Sequence, residues 1–137
     1  MLEMKKVFIS GPMTGLPNYN REAFDEAEEM LKKAGFTVVN PAKFGIDDMT
    51  DADIARIDLN ALLSCNYIYQ LEGWSYSKGA SAEWSVSLWA GIKTVNKEWL
   101  EWYVEKEGTR AIVMKSLKEE EKKLGNTGNF NNIFRDL

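Results

Sequence analysis

Histidine is absent from all 137 residues of the chain. Its absence removes the usual acid–base group at neutral pH, the serine–histidine and cysteine–histidine nucleophile pairs and most zinc sites. A single cysteine, Cys65, has no partner for an internal disulfide and fits a reducing, cytoplasmic setting. Basic residues are not in excess. The formal charge is −4 with both signs interspersed, unlike the basic footprint of a nucleic-acid binder. No apolar run approaches the roughly 20 residues of a membrane span. The first residues, MLEMKKVFISG, are too short and too polar for a signal peptide. Neither a repeat nor a low-complexity tract interrupts the chain. Catalysis, if there is any, falls to Asp, Glu, Tyr, Lys and backbone dipoles, with no cofactor and no metal called for.

Apolar residues make up 45% of the chain, including five tryptophans, five tyrosines and six phenylalanines. That suffices for one packed domain over 1–137 and leaves no room for a second core. Residues 5–10, KKVFIS, read as a buried strand stopped by Gly11-Pro12. Residues 20–34 carry apolar positions at helical spacing, with Asn20 as a candidate cap and Gly35 as the stop. Residues 36–40 form a second strand ended by Pro41, and residues 51–64 a second helix capped by Thr50 or Asp51. Strands at 66–71 and 92–96 flank a third helix at 78–91. Alternating strands and helices predict an α/β domain, a parallel sheet with helices on both faces. Ligands in such sheets bind in the loops at the carboxyl ends of the strands. Beyond residue 97 the spacing predicts two helical stretches, with a strand at Ala111–Met114 as an alternative for the second, and a turn-rich break at GNTGNFNN.

Two acids stand out. Glu83 lies near the start of the third helix among small residues, Gly79, Ala80, Ser81 and Ala82. A carboxylate there is favoured by the helix dipole and is expected to stay ionised. From position alone it reads as an ordinary helix-end charge, and the functional reading needs a partner. Asp58 sits inside the apolar stripe formed by Ile54, Ile57, Ala61 and Leu62. An acid in that place costs several kcal/mol unless it is paired or used. The alternative is a buried hydrogen-bonded Asp, to Arg56 or to a backbone amide. Their helices precede and follow the third strand, so both acids can reach one strand edge. Two carboxylates in differing environments suit glycosidic-bond chemistry. The loop GPMTGLPN could offer backbone amides to phosphate or sugar, or be a plain turn. Trp74, Tyr76 and Tyr19 could stack on a base, or serve as lids or interface residues. Trp84, Trp89, Trp99 and Trp102 read as core or subunit interface, and KEEEKK at 118–123 as a solvated helix face.

The string Asp58-x7-Asn66-x10-Ser77-x-Gly79-x3-Glu83, with ISGPMTG at 9–15 and the GW, S, GA and E of 73–83, resembles the nucleoside 2-deoxyribosyltransferase superfamily. It is most similar to a bacterial and phage branch, over about residues 5–96. The resemblance implies a flavodoxin-like (Rossmann-like) fold and a homodimer or larger homo-oligomer. It also implies cleavage of the N-glycosidic bond of 2'-deoxynucleosides or their 5'-monophosphates. By the same resemblance Glu83 is the nucleophile, and Asp58 handles the sugar and the proton. Ser77 stands where the transferases have aspartate and the 2'-deoxynucleoside 5'-phosphate hydrolases a phosphate-binding serine, which implies a nucleotide and hydrolysis. Ser10, Gly11, Pro12, Met13, Thr14 and Gly15 would surround sugar and base, with Trp74, Gly79 and Ala80 completing the substrate site. The chain departs from the family at Asn66, often aspartate, and at Pro12, Met13 and Thr14, where a tyrosine or arginine often helps to hold the ligand. These departures motivate an alternative, a non-catalytic nucleotide or nucleotide-signal binding protein on the same fold. A scaffold presenting Trp99, Trp102 and Tyr103 is a third reading. Nucleic acid and membrane are not expected partners.

Overall fold

A near-continuous apolar strand is one covered on both faces, and β1 (Lys6–Ser10) is buried from Val7 to Ser10. In the computed structural model, which describes residues 5–45 and 48–124, β1 pairs in parallel with β2 (Thr37–Val39) and with β3 (Tyr67–Gln70). β3 pairs in parallel with β4 (Lys93–Val95), giving the order β2-β1-β3-β4. The connections are α1 (Arg21–Lys33), α2 (Asp51–Leu63) and α3 (Lys78–Trp89), and α4 (Lys97–Leu124) follows β4.

This order fixes the layers. The chain leaves β1 in one direction to reach β2, then passes back over β1 to reach β3. Right-handed crossovers therefore put α1 on one face of the sheet and α2 and α3 on the other. Accordingly α1 packs on β1 and β2, while α2 and α3 pack on each other and on β1. Phe8 and Ile68 point to the α2–α3 side, where they form a buried cluster with Leu62, Cys65 and Ile92. The strand order reverses between β1 and β3, and the carboxyl ends of those two strands form the crevice where such sheets bind ligands.

Every strand and helix expected over 5–96 is present, with ends within two residues of the spacing-based limits. Thr50 caps α2 by accepting from the Asp53 N–H, and Gly35 turns the chain at φ 95°. Asn20 does not cap α1 as expected. It lies in the left-handed region at φ 62°, and its amide instead donates to the Pro12 carbonyl at 2.9 Å. The two helical stretches after residue 97 are one helix. Gly108 costs it only about 1 kcal/mol, and Ala111–Met114 are helical rather than a strand. The GNTGNFNN segment lies outside the described residues. Packing divides the chain into two compact units at Leu100. The sheet, α1 to α3 and the start of α4 make the first. In the second, Lys106 lies over the Trp102 ring at 4.8 Å. In the first, Trp99 packs edge-on to Phe36 and against Tyr67, whereas Trp89 is 95% exposed. No helix among the described residues is long and apolar enough to cross a membrane.

One buried charge ties α1 to the loop after β2. Glu28 accepts from Lys32 at 2.6 Å, from Lys43 at 3.0 Å and from the buried Asn40 amide at 3.0 Å. The Lys32 ammonium foremost, against the opposing effect of burial, and then Lys43 and Asn40 hold the Glu28 carboxyl down at about 2. A carboxylate with a lowered pKa stabilises the fold above its unfolded value and loses that effect as pH falls through its folded value. Glu28→Ala is expected to lower stability by about 1–3 kcal/mol at pH 7. The deficit should shrink as pH falls from 4.5 towards 2. Urea unfolding at pH 7 and at pH 3 measures both effects, and coincident curves for the two proteins at pH 7 would contradict the assignment.

Candidate active site

α3 starts where Ser77 stops being extended. Its Oγ accepts from the Ala80 N–H at 3.2 Å and caps the helix. Glu83 falls in the second turn, on the side facing the sheet, and is only 9% exposed. Ser10, the last residue of β1, points to the same side because it lies two residues beyond Phe8. Its hydroxyl donates to Glu83 Oε1 at 2.8 Å. Asp58, half-buried on α2, completes the group, its carboxyl hydrogen-bonded to that of Glu83. Asp58 thus pairs with Glu83 rather than with Arg56. Its Oδ1 is buried with no partner among the described residues.

A carboxylate only accepts hydrogen bonds, so two carboxyl groups bond to each other only when a proton lies between them. Burial pushes Glu83 up to about 8, with the Asp58 charge adding to the rise and the Ser10 hydroxyl opposing it. Burial likewise raises Asp58 to about 6, opposed by its bond to Glu83. The expectation that the helix start keeps Glu83 ionised is therefore overturned. The side chain lies beyond the first turn, where the dipole acts most strongly, and desolvation outweighs the dipole. Like charges this close do not both ionise, and the pair holds one proton near neutral pH.

The loops around this pair are packed on each other. A Cβ on Gly11 would lie 2.7 Å from the Cβ of Leu71, so only glycine lets the loop after β1 pass the loop after β3. Gly73, at φ 83°, has room only up to Pro12, 3.4 Å from where its Cβ would be. Asn18, Tyr19 and Asn20 are all left-handed, a costly run for residues with side chains. Arg21 holds the turn, bonding Asn18 Oδ1 at 3.2 Å and lying over the Tyr19 ring at 5.2 Å.

A cleft of about 820 Å³ opens beside these loops on the α1 face of the sheet, lined by Pro12, Leu16, Asn20, Ala23, Ala27, Met30, Tyr69, Gln70 and Trp74 among others. The structure brings together Ser10, Asp58 and Glu83, and it puts Pro12 and Trp74 in the cleft. Met13 is partly buried, while Thr14 and Gly15 are exposed, and none of the three lines the cleft. Trp74 leans on Trp84, ring centroids 5.1 Å apart. The Ala80 side chain is buried and its N–H is taken by Ser77, whereas the space a Cβ would occupy at Gly79 is open. Tyr19 and Tyr76 are exposed. Asn66, at the amino end of β3, accepts from the Lys6 N–H at 3.3 Å, at the far end of the sheet from the carboxyl pair. Sequence reasoning missed Gln70. Its only signal is a polar residue ending an apolar strand at the carboxyl edge. Among the described residues no cluster of three or more potential ligands could hold a metal ion.

Residues 5–96 match the family described as Domain of unknown function (DUF4406). The fold is similar to that of a 2-deoxyribosyltransferase from the psychrotolerant bacterium Bacillus psychrosaccharolyticus. The TM-score is 0.55 at 17% identity, over 66% of this chain and 70% of that one. It is similar to a 2-deoxyribosyltransferase from Leishmania mexicana to the same degree, with a TM-score of 0.55 at 14% identity, over 67% of this chain and 63% of that one. At these identities the likeness is one of fold, and it bears out the expected α/β architecture. No curated protein sequence matches the chain.

A carboxyl group with a raised pKa favours the fold in its protonated form. Its contribution is complete below the unfolded pKa and is lost as pH rises through the folded one. Stability should therefore fall as pH rises from about 4.5 to about 8. Glu83→Gln, which keeps the shape and cannot ionise, should flatten that fall. Thermal melts across this range check it, and identical slopes for the two proteins would contradict the burial of the pair.

Proposed function

The chain belongs to the DUF4406 family, and we propose that it cleaves or transfers across the N-glycosidic bond of a (deoxy)nucleoside 5'-monophosphate. The observation that carries the reading is the buried Asp58–Glu83 pair, held by Ser10 at the strand-order reversal. The likeness of fold to two 2-deoxyribosyltransferases supports it.

The singly protonated pair is the reactive form. The proton rests on Glu83, the weaker acid of the two, and passes to Asp58 as the reaction begins, so that the Glu83 carboxylate attacks the anomeric carbon while the Ser10 hydroxyl keeps it aimed. The C–N bond breaks, a C–O bond to Glu83 forms, and the Asp58 proton goes to the leaving base nitrogen. Water then attacks the same carbon, Glu83 leaves, and the proton released by water returns to Asp58. A second nucleobase in place of water gives transfer. Removing water from around Glu83 raises its pKa and with it its nucleophilicity, a use for the cost of burying it. Phosphate fits the start of α3, where the Ser77 cap, the open side of Gly79 and the helix dipole favour an anion. The base fits the cleft beside Trp74. A homo-oligomer belongs to the same proposal, and the fully exposed Trp89 ring, with Leu88 and Leu63 also exposed, supplies an apolar surface for a second copy.

The test is base release from 2'-deoxynucleoside and ribonucleoside 5'-monophosphates, read by mass spectrometry. Wild-type protein should yield free base, and Glu83→Gln should lower kcat by roughly 1000-fold or more with its melting temperature kept. Intact ligand that nevertheless stabilises the protein would replace this reading with the binding-protein one. The pH profile of kcat/KM should be bell-shaped, with limbs near the pair's two apparent values, about 6 and about 8. A rate that keeps rising above pH 9 would exclude a required proton on the pair.

A further inference from the structure

Two side-chain polar atoms among the described residues are buried without a hydrogen-bond partner, Asp58 Oδ1 and Gln70 Nε2. Asp58 has been assigned to the carboxyl pair. Gln70 has no assigned task. A buried amide N–H that bonds nothing is a net cost, and natural chains seldom keep one without a use.

Its position says what that use is. Gln70 ends β3 and lies directly across from Ser10 in the parallel register. Ile68 points into the α2–α3 cluster, so Gln70, two residues on, points to the same side. Its neighbour one strand away, about 4.8 Å by backbone spacing, is therefore the serine whose hydroxyl holds Glu83 at 2.8 Å. Gln70 and Ser10 stand on the two sides of the strand-order reversal. Gln70 also lines the 820 Å³ cleft, which Ser10, Asp58 and Glu83 do not. That cleft is lined by Ala23, Ala27 and Met30 of α1, so it opens on the α1 face, and Gln70, whose side chain takes the Ser10 side, stands at the sheet edge between it and the row of side chains that ends on Glu83. An amide donor suits this place. It is uncharged, so it does not collapse onto the carboxyl pair as an ammonium or guanidinium would, and its Nε2 offers hydrogens only to an acceptor.

We infer that Gln70 is a substrate-binding residue, its side-chain amide donating a hydrogen bond to an oxygen of the substrate at the end nearest Glu83. The inference rests on the reading given under Proposed function and adds a residue to it. The oxygen is either a sugar hydroxyl or a carbonyl of the base, and the test separates them. The orphan donor is satisfied only when ligand is bound, so the site is built at the expense of the free protein's stability.

Three proteins decide it: wild type, Gln70→Leu and Gln70→Glu. Leucine fills similar space without a donor. Glutamate keeps the shape but offers acceptors and a third charge. In the absence of ligand Gln70→Leu should melt at or above the wild-type temperature, because a buried unpaired amide is gone. A drop of several degrees would show a structural bond and overturn the inference. With 2'-deoxynucleoside 5'-monophosphates as probes, Gln70→Leu should raise KM, or Kd by ligand-induced thermal shift, roughly 10- to 100-fold. Gln70→Glu should be worse than Gln70→Leu. An equal penalty for the adenine and guanine nucleotides assigns the sugar, since only guanine carries a carbonyl, and a penalty confined to guanine assigns the base. Unchanged KM and Kd in Gln70→Leu, with wild type active, would reject Gln70 alone. A wild-type protein that neither binds nor cleaves any probe would reject the glycosidic reading and this inference with it.

Discussion

The hydrogen bond between the carboxyl groups of Asp58 and Glu83 is the constraint on which this molecule's candidate site depends. It requires a proton, and the proton is retained because the pair is buried. Burial in turn needs α2 and α3 to close over the end of β1, with Ser10 as a neutral donor placed to hold Glu83. Moving any of these elements would let water in, and the two acids would revert to ordinary separate charges. A chain without histidine has few other ways to keep a transferable proton near neutral pH, and two acids sharing one proton provide it.

Strand order places this pair. The reversal between β1 and β3 leaves a gap at their carboxyl ends that neither crossover helix covers. Ser10 and Gln70 stand on the two sides of that gap, and the loops that follow them close round it. Gly11 lets Leu71 approach, and Gly73 meets Pro12. The same loops give the cleft its wall at Pro12 and Trp74. On the other face of the sheet Glu28 fixes α1 against the loop after β2. The cleft, on the α1 face, and the carboxyl pair, on the α2–α3 face, thus lie at the same carboxyl edge of the sheet.

Much of this was legible in the sequence because it depends on pattern. The apolar run at residues 6–10 and the helical spacing around Phe24 and Leu31 follow from burial on a known face, and the Thr50 cap follows from local chemistry. Asp58 was legible as an acid inside an apolar stripe, and Glu83 by its small neighbours and the resemblance they carry. The ionisation state of Glu83 was not legible, because the helix dipole is a local property and desolvation is a tertiary one. Nor was Asn20, whose amide is drawn to the Pro12 carbonyl by a fold of the loop that no spacing encodes. Gln70 was missed for the same reason: a glutamine at a strand end looks like any polar terminus until its neighbour across the sheet is known. Where α4 was expected to break, the helix ran on, because one glycine costs too little to stop it.

The measurement that tests the shared proton most directly is isotope-edited infrared spectroscopy of the carboxyl groups at pH 7. Wild-type protein should show the C=O band of one protonated, buried carboxyl group. The band should vanish in Glu83→Gln and, in wild type, as the pH is taken well above 8. A wild-type spectrum at pH 7 with every carboxyl group ionised would contradict the account at its centre.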